Sequence, residues 1–180
     1  MAAKSRRKRQ AKVLRQTRSI HRWTGLALFL FFFVIGVTSV LLGWKKDSEW
    51  IMPSTARGSS TELAEWLPTP ELVTRAQTAL VDSLGPAYDP AIDRLDFRPD
   101  KGAIKFLFKD HYGEVQLDGA TGEVLSVGIR RSDFIEQIHD GSIVSDGAKL
   151  VYSTVMGLAT IVFTVSGFWL WYGPKRMRRG

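Results

Sequence analysis

Two uncharged apolar runs constrain this chain more than any other feature. Thr24 to Gly43 is twenty residues without a charge, and Leu150 to Tyr172 is twenty-three. Each is long enough to cross a hydrocarbon core of about 30 Å, which takes roughly 20 helical residues. Trp23 and Trp44 bracket the first run, and Trp169, Trp171 and Tyr172 close the second, where interfacial aromatics are expected. A chain so built is expected to pass the membrane twice. A cleaved leader is not expected from the first run: its apolar part is too long, and Leu41-Leu42-Gly43-Trp44 offers no small-x-small site.

Charge sorts along the same lines. All eighteen acidic residues lie between Asp47 and Asp146; with twelve basic residues from Lys45 to Lys149, the middle carries a net −6. The other thirteen basic residues flank the two runs, nine up to Arg22 and four from Lys175 onward, with no acid among them. By the positive-inside rule both termini are expected in the cytoplasm and the acidic middle on the other side of the membrane. The basic tail lacks an aromatic or groove-reading element, so its expected partner is the bilayer and not nucleic acid. With no cysteine, disulfides, iron–sulfur ligation and thiol chemistry are excluded.

The middle reads as one small α+β domain. Residues 45 to 68 look irregular. "TPELVTRAQTALVDSLG" is a helix, with Thr69 as its expected cap, Pro70 in its first turn and Gly85-Pro86 at its end. Leu72 or Val73, Ala76, Leu80 and Leu84 form its apolar face. Strands follow in "DRLDFRP", "GAIKFLFKD" and "GEVQLDGATGEVLSVGI"; Ile104, Phe106 and Phe108 share one face, Lys105 and Lys109 the other. Asp118, Gly119 and Gly122 are turn chemistry. "RRSDFIEQIHDG" is a short helix leading to the second span. The expected layout is a basic tail (1–22), a first span (23–44), the domain (45–138), a juxtamembrane segment (139–149), a second span (150–172) and a basic tail (173–180). A helix packed on an antiparallel sheet is the expected domain fold.

The motifs carry a resemblance. "VQLDGATGEVLSV" resembles the last hairpin of a PepSY domain. "IHRWTGLALFLFFFVIGVTSVLLGW" and "FIEQIHDGSIVSDGAKLVYSTVMGLATIVFTVSGFWLWYGPKRMRR" resemble the first and last helices of the PepSY-associated transmembrane family. The resemblance implies a membrane-anchored binding or accessory module, its targets a peptidase, an envelope assembly or an iron-uptake complex. Larger relatives include iron–siderophore reductases that hold b-type haem between histidine-bearing helices.

No H-E-x-x-H, paired-carboxylate or G-x-S-x-G pattern marks a hydrolase, so a non-enzyme is expected; an enzymatic member would be a membrane ferric or siderophore reductase. Three histidines remain. His111, in "KDHYGE", is expected at a solvated hairpin turn, with Asp110 and Glu114 nearby for at most a weak metal contact. His21 shares a helical stripe with Gly25, Leu28, Phe32, Gly36, Ser39 and Gly43; Ser153, Gly157, Thr160, Thr164 and Gly167 form a second stripe, which extended backwards at helical spacing passes near Asp146 and reaches His139. Small residues mark helix contact in lipid, so Gly25, Gly36, Gly43, Ser153, Gly157, Thr160, Thr164 and Gly167 are the expected packing positions. Those stripes permit an intramolecular hairpin or a homodimer. In a dimer, His21 and His139 would be the candidate ligands of haem b, one near each membrane face. Gly141 and Gly147 stand where the helix before the second span would break.

Overall fold

The computed structural model describes residues 2–178. The chain forms two compact units: Val40–Glu136, and the residues on either side of it.

The middle unit is built on a four-stranded antiparallel sheet in the order β1 (Ile92–Arg98), β2 (Ala103–Phe108), β3 (Gly113–Asp118), β4 (Val124–Ile129). Phe106 pairs with Leu95 on one side and Val115 on the other, and Val115 with Val127, so alternate residues stack apolar side chains on one face. Helix α2 (Thr69–Leu84) packs there. Its Leu72, Ala76 and Leu80 close a core with Ile104, Phe106, Phe108, Val115 and Leu117. Pro68, and not Thr69, occupies the cap: its carbonyl accepts the amides of Glu71 (2.9 Å) and Leu72 (3.2 Å), and no side chain caps the helix. Val73 is only partly buried, so Leu72 is the core residue of that turn.

The second face of the sheet is covered as well. Residues 51–60 cross it without regular structure, held by side chains reaching up from the strands. Gln116 bonds the Ser54 carbonyl (2.8 Å) and the Ala56 amide (2.9 Å), and Asp118 accepts the Ser59 amide (2.7 Å) and hydroxyl (3.0 Å). Beneath this strap lie Lys105, Glu114 and Gln116, all at most 2% exposed. The outward-facing lysine expected from strand alternation is therefore buried. Its ammonium sits 3.2 Å from Glu114, whose other oxygen is 3.2 Å from Arg130.

Asp118 also ties the β3–β4 turn, accepting the amides of Ala120 (2.8 Å) and Thr121 (3.1 Å), while Gly122 turns at φ +70°. Burial acts to raise its pKa, but these bonds and those from Ser59 outweigh it and hold the carboxyl below the ordinary carboxylate value. A group depressed in the folded state stabilises above its unfolded pKa, and loses that contribution as pH falls through the folded value. Asp118→Asn is thus expected to cost about 1–3 kcal/mol at neutral pH. The deficit should narrow in acid, below the unfolded carboxylate range; amide exchange of the β3–β4 hairpin against pH measures it.

His111 departs from expectation. It is partly buried in the β2–β3 turn, its Nε2 2.8 Å from the Asp89 carbonyl and its Nδ1 accepting the Gly113 amide at 3.2 Å. Tyr88 packs on the ring at 4.8 Å. Both nitrogens are taken and Glu114 points into the covered face, so the weak metal contact does not form.

In the second unit, α1 (Ala2–Gly43) and α4 (Asp146–Arg178) pack antiparallel, with Leu14 near Gly173, Gly25 near Phe163 and Phe31 near Tyr152. Both are long and apolar enough to cross a membrane. The last turn of α3 (Arg131–Asp140) belongs to the same unit.

Candidate functional site

The seam between α1 and α4 is not the one the small residues suggested. On α4 a row of buried or half-buried positions runs through Tyr152, Met156, Ala159, Phe163, Ser166, Leu170 and Gly173, spaced alternately by four and three. That is a 3.5-residue repeat, the spacing of helices that wrap left-handedly. The expected stripe lies one residue away: Ser153, Gly157, Thr160 and Thr164 are exposed, and only Gly167 reaches the seam. On α1, Gly25 sits in the contact, where an added Cβ would stand 3.1 Å from Phe163. Beyond Phe32 the seam runs through Ile35 and Thr38, leaving Gly36 and Gly43 exposed with nothing within 4 Å of an added Cβ. The α1 stripe from His21 to Gly43 averages more than 3.5 residues per step and drifts off a supercoiled seam, whereas the α4 stripe keeps the 3.5-residue spacing but runs one residue to the side of it. Phe163 packs against Phe32 and over Gly25 in this contact, and Ala159, Ser166 and Gly173 are small residues buried within it. The hydroxyls of Thr160 and Thr164 bond the carbonyls four residues back, at 2.8 and 2.9 Å.

Both histidines of the membrane unit face this seam. His21 Nδ1 is 2.7 Å from Ser166 Oγ, and its ring packs on Phe163 at 4.6 Å. His139 Nδ1 is 2.8 Å from Thr38 Oγ1. The chain reaches this position because α3 stops at Asp140 and turns at Gly141, φ +81°, against Tyr152. The break expected at Gly141 occurs, whereas Gly147 lies within α4. His139 is therefore folded back beside α1 and does not project along an extension of α4.

Thr38 and Ser166 are the residues that sequence reasoning missed. Thr38 is 6% exposed, and its hydroxyl lies 2.7 Å from the Val34 carbonyl, which takes its one proton. His139 then donates from Nδ1, leaving a lone pair on Nε2. Among the described residues neither His21 Nε2 nor His139 Nε2 makes a hydrogen bond. The two sites lie at opposite ends of the seam, since His21 and Thr38 are about 25 Å apart along α1 at ~1.5 Å per residue.

Such cross-helix bonds average about 0.6 kcal/mol in a bilayer protein. Thr38→Val should lower the stability of the helix pair by about that amount, and His139→Phe should add little more in the same background. A double-mutant cycle on thermal unfolding in detergent reads the coupling; additive losses would show that the bond contributes nothing.

A haem ligand needs this imidazole state, one ring nitrogen fixed by a neighbour and the other free. One chain nevertheless supplies only one imidazole at each end of the seam. A bis-histidine site fits two copies of the chain, not one.

The fold and the paired helices define a membrane protein with two transmembrane helices and a small α+β domain between them in sequence. The family model described as the PepSY-associated TM region matches residues 18–180, and the chain belongs to that family. A search of curated proteins found no match.

Proposed function

We propose that this protein is a membrane-anchored binding module that presents its α+β domain outside the bacterial cytoplasmic membrane, both termini remaining in the cytoplasm. The observation that supports it is the partition of charge and structure. The unit Val40–Glu136 has its own core, whereas the thirteen flanking cations gather at the other ends of the two spans. The occupant of its surface is an extracytoplasmic protein: a peptidase, an envelope assembly or an iron-uptake complex. Phe97, 48% exposed and stacked on Trp66 at 6.1 Å, offers an aromatic surface of the kind protein contacts use.

The chain has no cysteine, so single cysteines report topology directly. Thr61→Cys should react with a membrane-impermeant maleimide in intact spheroplasts, and Ala11→Cys only after permeabilisation; the reverse pattern overturns the orientation. A photo-crosslinker at Phe97 should trap an extracytoplasmic protein in living cells, and its failure to trap any protein counts against the binding role.

A second reading is favoured by the free Nε2 of His21 and of His139. Two copies would bring like imidazoles into the same layer at each face, as a haem b protein moving electrons outward requires. When bound, the haem would supply one-electron transfer. His21 and His139 would hold it, with Ser166 and Thr38 fixing their rings. A dithionite-reduced minus oxidised spectrum with a pyridine haemochrome assay separates the readings. Sharp bands lost in His21→Ala and His139→Ala replace the accessory role with a redox one, and a flat spectrum from haem-replete cells removes haem.

A further inference from the structure

Near their basic ends, α1 and α4 leave an apolar groove of about 400 Å³ between them, walled by Thr17 and Ile20 on one helix and Val162, Val165 and Trp169 on the other. The volume is within the ~300–1,000 Å³ range of ligand sites. Ile20 and Val165 are each more than half exposed, so the groove opens sideways, toward what surrounds the helices.

The groove arises from an offset between the two spans. His21 lies opposite Ser166, and Leu14 lies opposite Gly173. At this level α4 is still apolar, through Tyr172, while α1 already carries Arg18 and Arg22. An apolar wall thus continues beside a cationic turn. Further out, Arg176 follows Trp169 by seven residues and Arg9 precedes Ile20 by eleven, which places each on the groove's own side of its helix. Lys12 lies within a turn of Arg9, and all three side chains are exposed. No acidic residue occurs in either flank to neutralise them.

An apolar slot open to hydrocarbon under an all-cationic rim is complementary to an amphiphile with an anionic head. We propose that the groove seats one acyl chain of an anionic glycerophospholipid, whose phosphate is met by Arg176 with Arg9 and Lys12. A zwitterionic lipid fits the slot but gains nothing net at the rim. A second copy of the chain as occupant would bring two sets of like charges together. The lipid is a wedge at the level of the His21–Ser166 contact, so it also sets how far the helices separate at that end.

Native mass spectrometry of the full chain, released from mixed micelles, tests this with phosphatidylglycerol and phosphatidylcholine of identical acyl chains. One phosphatidylglycerol per chain is expected to survive detergent stripping, with a preference over phosphatidylcholine of about fivefold for each basic residue engaged. Arg176→Ala should reduce that preference about fivefold, while Val165→Trp, which fills the slot, should abolish retention of both lipids. Brominated phosphatidylglycerol provides a measurement free of folding risk, because it should quench the part of the native fluorescence that Trp169→Phe removes. Equal retention of the two lipids, unchanged retention in Val165→Trp, or a lipid-free dimer with Trp169 protected from quenching would each overturn the proposal.

Discussion

Glu114→Ala is expected to destabilise the α+β unit by about 3–5 kcal/mol, the cost of removing one partner from a buried ion pair. Glu114 is 1% exposed, and its carboxylate is the shared acceptor of Lys105 at 3.2 Å, Gln116 at 2.7 Å and Arg130 at 3.2 Å. Alanine leaves an ammonium and a guanidinium facing each other beneath the strap. Arg130 retains Asp133 at 2.7 Å, but among the described residues Lys105 pairs with no other carboxylate. Burial already pulls the Lys105 pKa below 10.5, against the raising effect of Glu114, and without Glu114 it falls further. A lysine depressed in the folded state is penalised while protonated. The deficit of the variant should therefore shrink as pH rises through the folded pKa toward 10.5. Amide exchange of β2 and β3 in the full chain reads both effects. Replacing both partners, as Lys105→Met with Glu114→Leu, should recover most of the loss. Persistence of the full deficit in that double variant would place the cost in shape rather than charge.

This network marks the boundary of what the sequence disclosed. The spans are legible because twenty uncharged residues have few alternatives, and α2 because Pro70 and the 3.6-residue period agree. The β3–β4 turn is legible because Asp118 and Gly122 have few other uses. Alternation along β2 correctly put Ile104, Phe106 and Phe108 on one face. It also put Lys105 on a face assumed to be wet, since one helix on one sheet leaves the other side open. What covers that side is an irregular segment, residues 51–60, and irregular backbone has no period to read. Partners 9 to 62 residues apart, such as Lys105 with Glu114 and Gln116 with Ser54, emerge only once the strand register is fixed.

The membrane site was legible in the same partial way. His21 was rightly assigned to a helix contact, but the stripe of small residues misplaced much of the seam. Thr38 and Ser166 differ from other hydroxyls in the spans only by a rotation of about 100° per residue. Which hydroxyl meets which histidine depends on the register of one helix against the other, and two apolar helices do not declare that register. The exposed stripe of Gly157, Thr160 and Thr164 remains available to a second copy, whose docking the haem reading would require.

Gly58→Ala is expected to destabilise the α+β unit by about 3 kcal/mol, the upper end for overpacking a site that cannot relax. An added Cβ would stand 2.1 Å from the Gly102 carbonyl oxygen, so backbone meets backbone and no rotamer change relieves it. That carbonyl is fixed, because it accepts the Gly119 amide at 3.0 Å, while the Gly58 amide itself donates to Lys101 at 2.8 Å. The strap is thus pinned where the β1–β2 and β3–β4 turns meet. Gly119 is equally crowded, with an added Cβ 2.2 Å from the Trp66 ring, but an indole can tilt and a carbonyl in a tight turn cannot. Gly119→Ala should accordingly cost less than Gly58→Ala. Because the strap lies over Lys105 and Glu114, lifting its end at Gly58 should also admit water to that pair. Accelerated exchange at Ala56 and Ser59, ahead of β2, is the expected signature in the full chain. Exchange that accelerates uniformly across the sheet would mean that the strap and the sheet unfold as one unit, and that the close approach at Gly58 sets global stability alone.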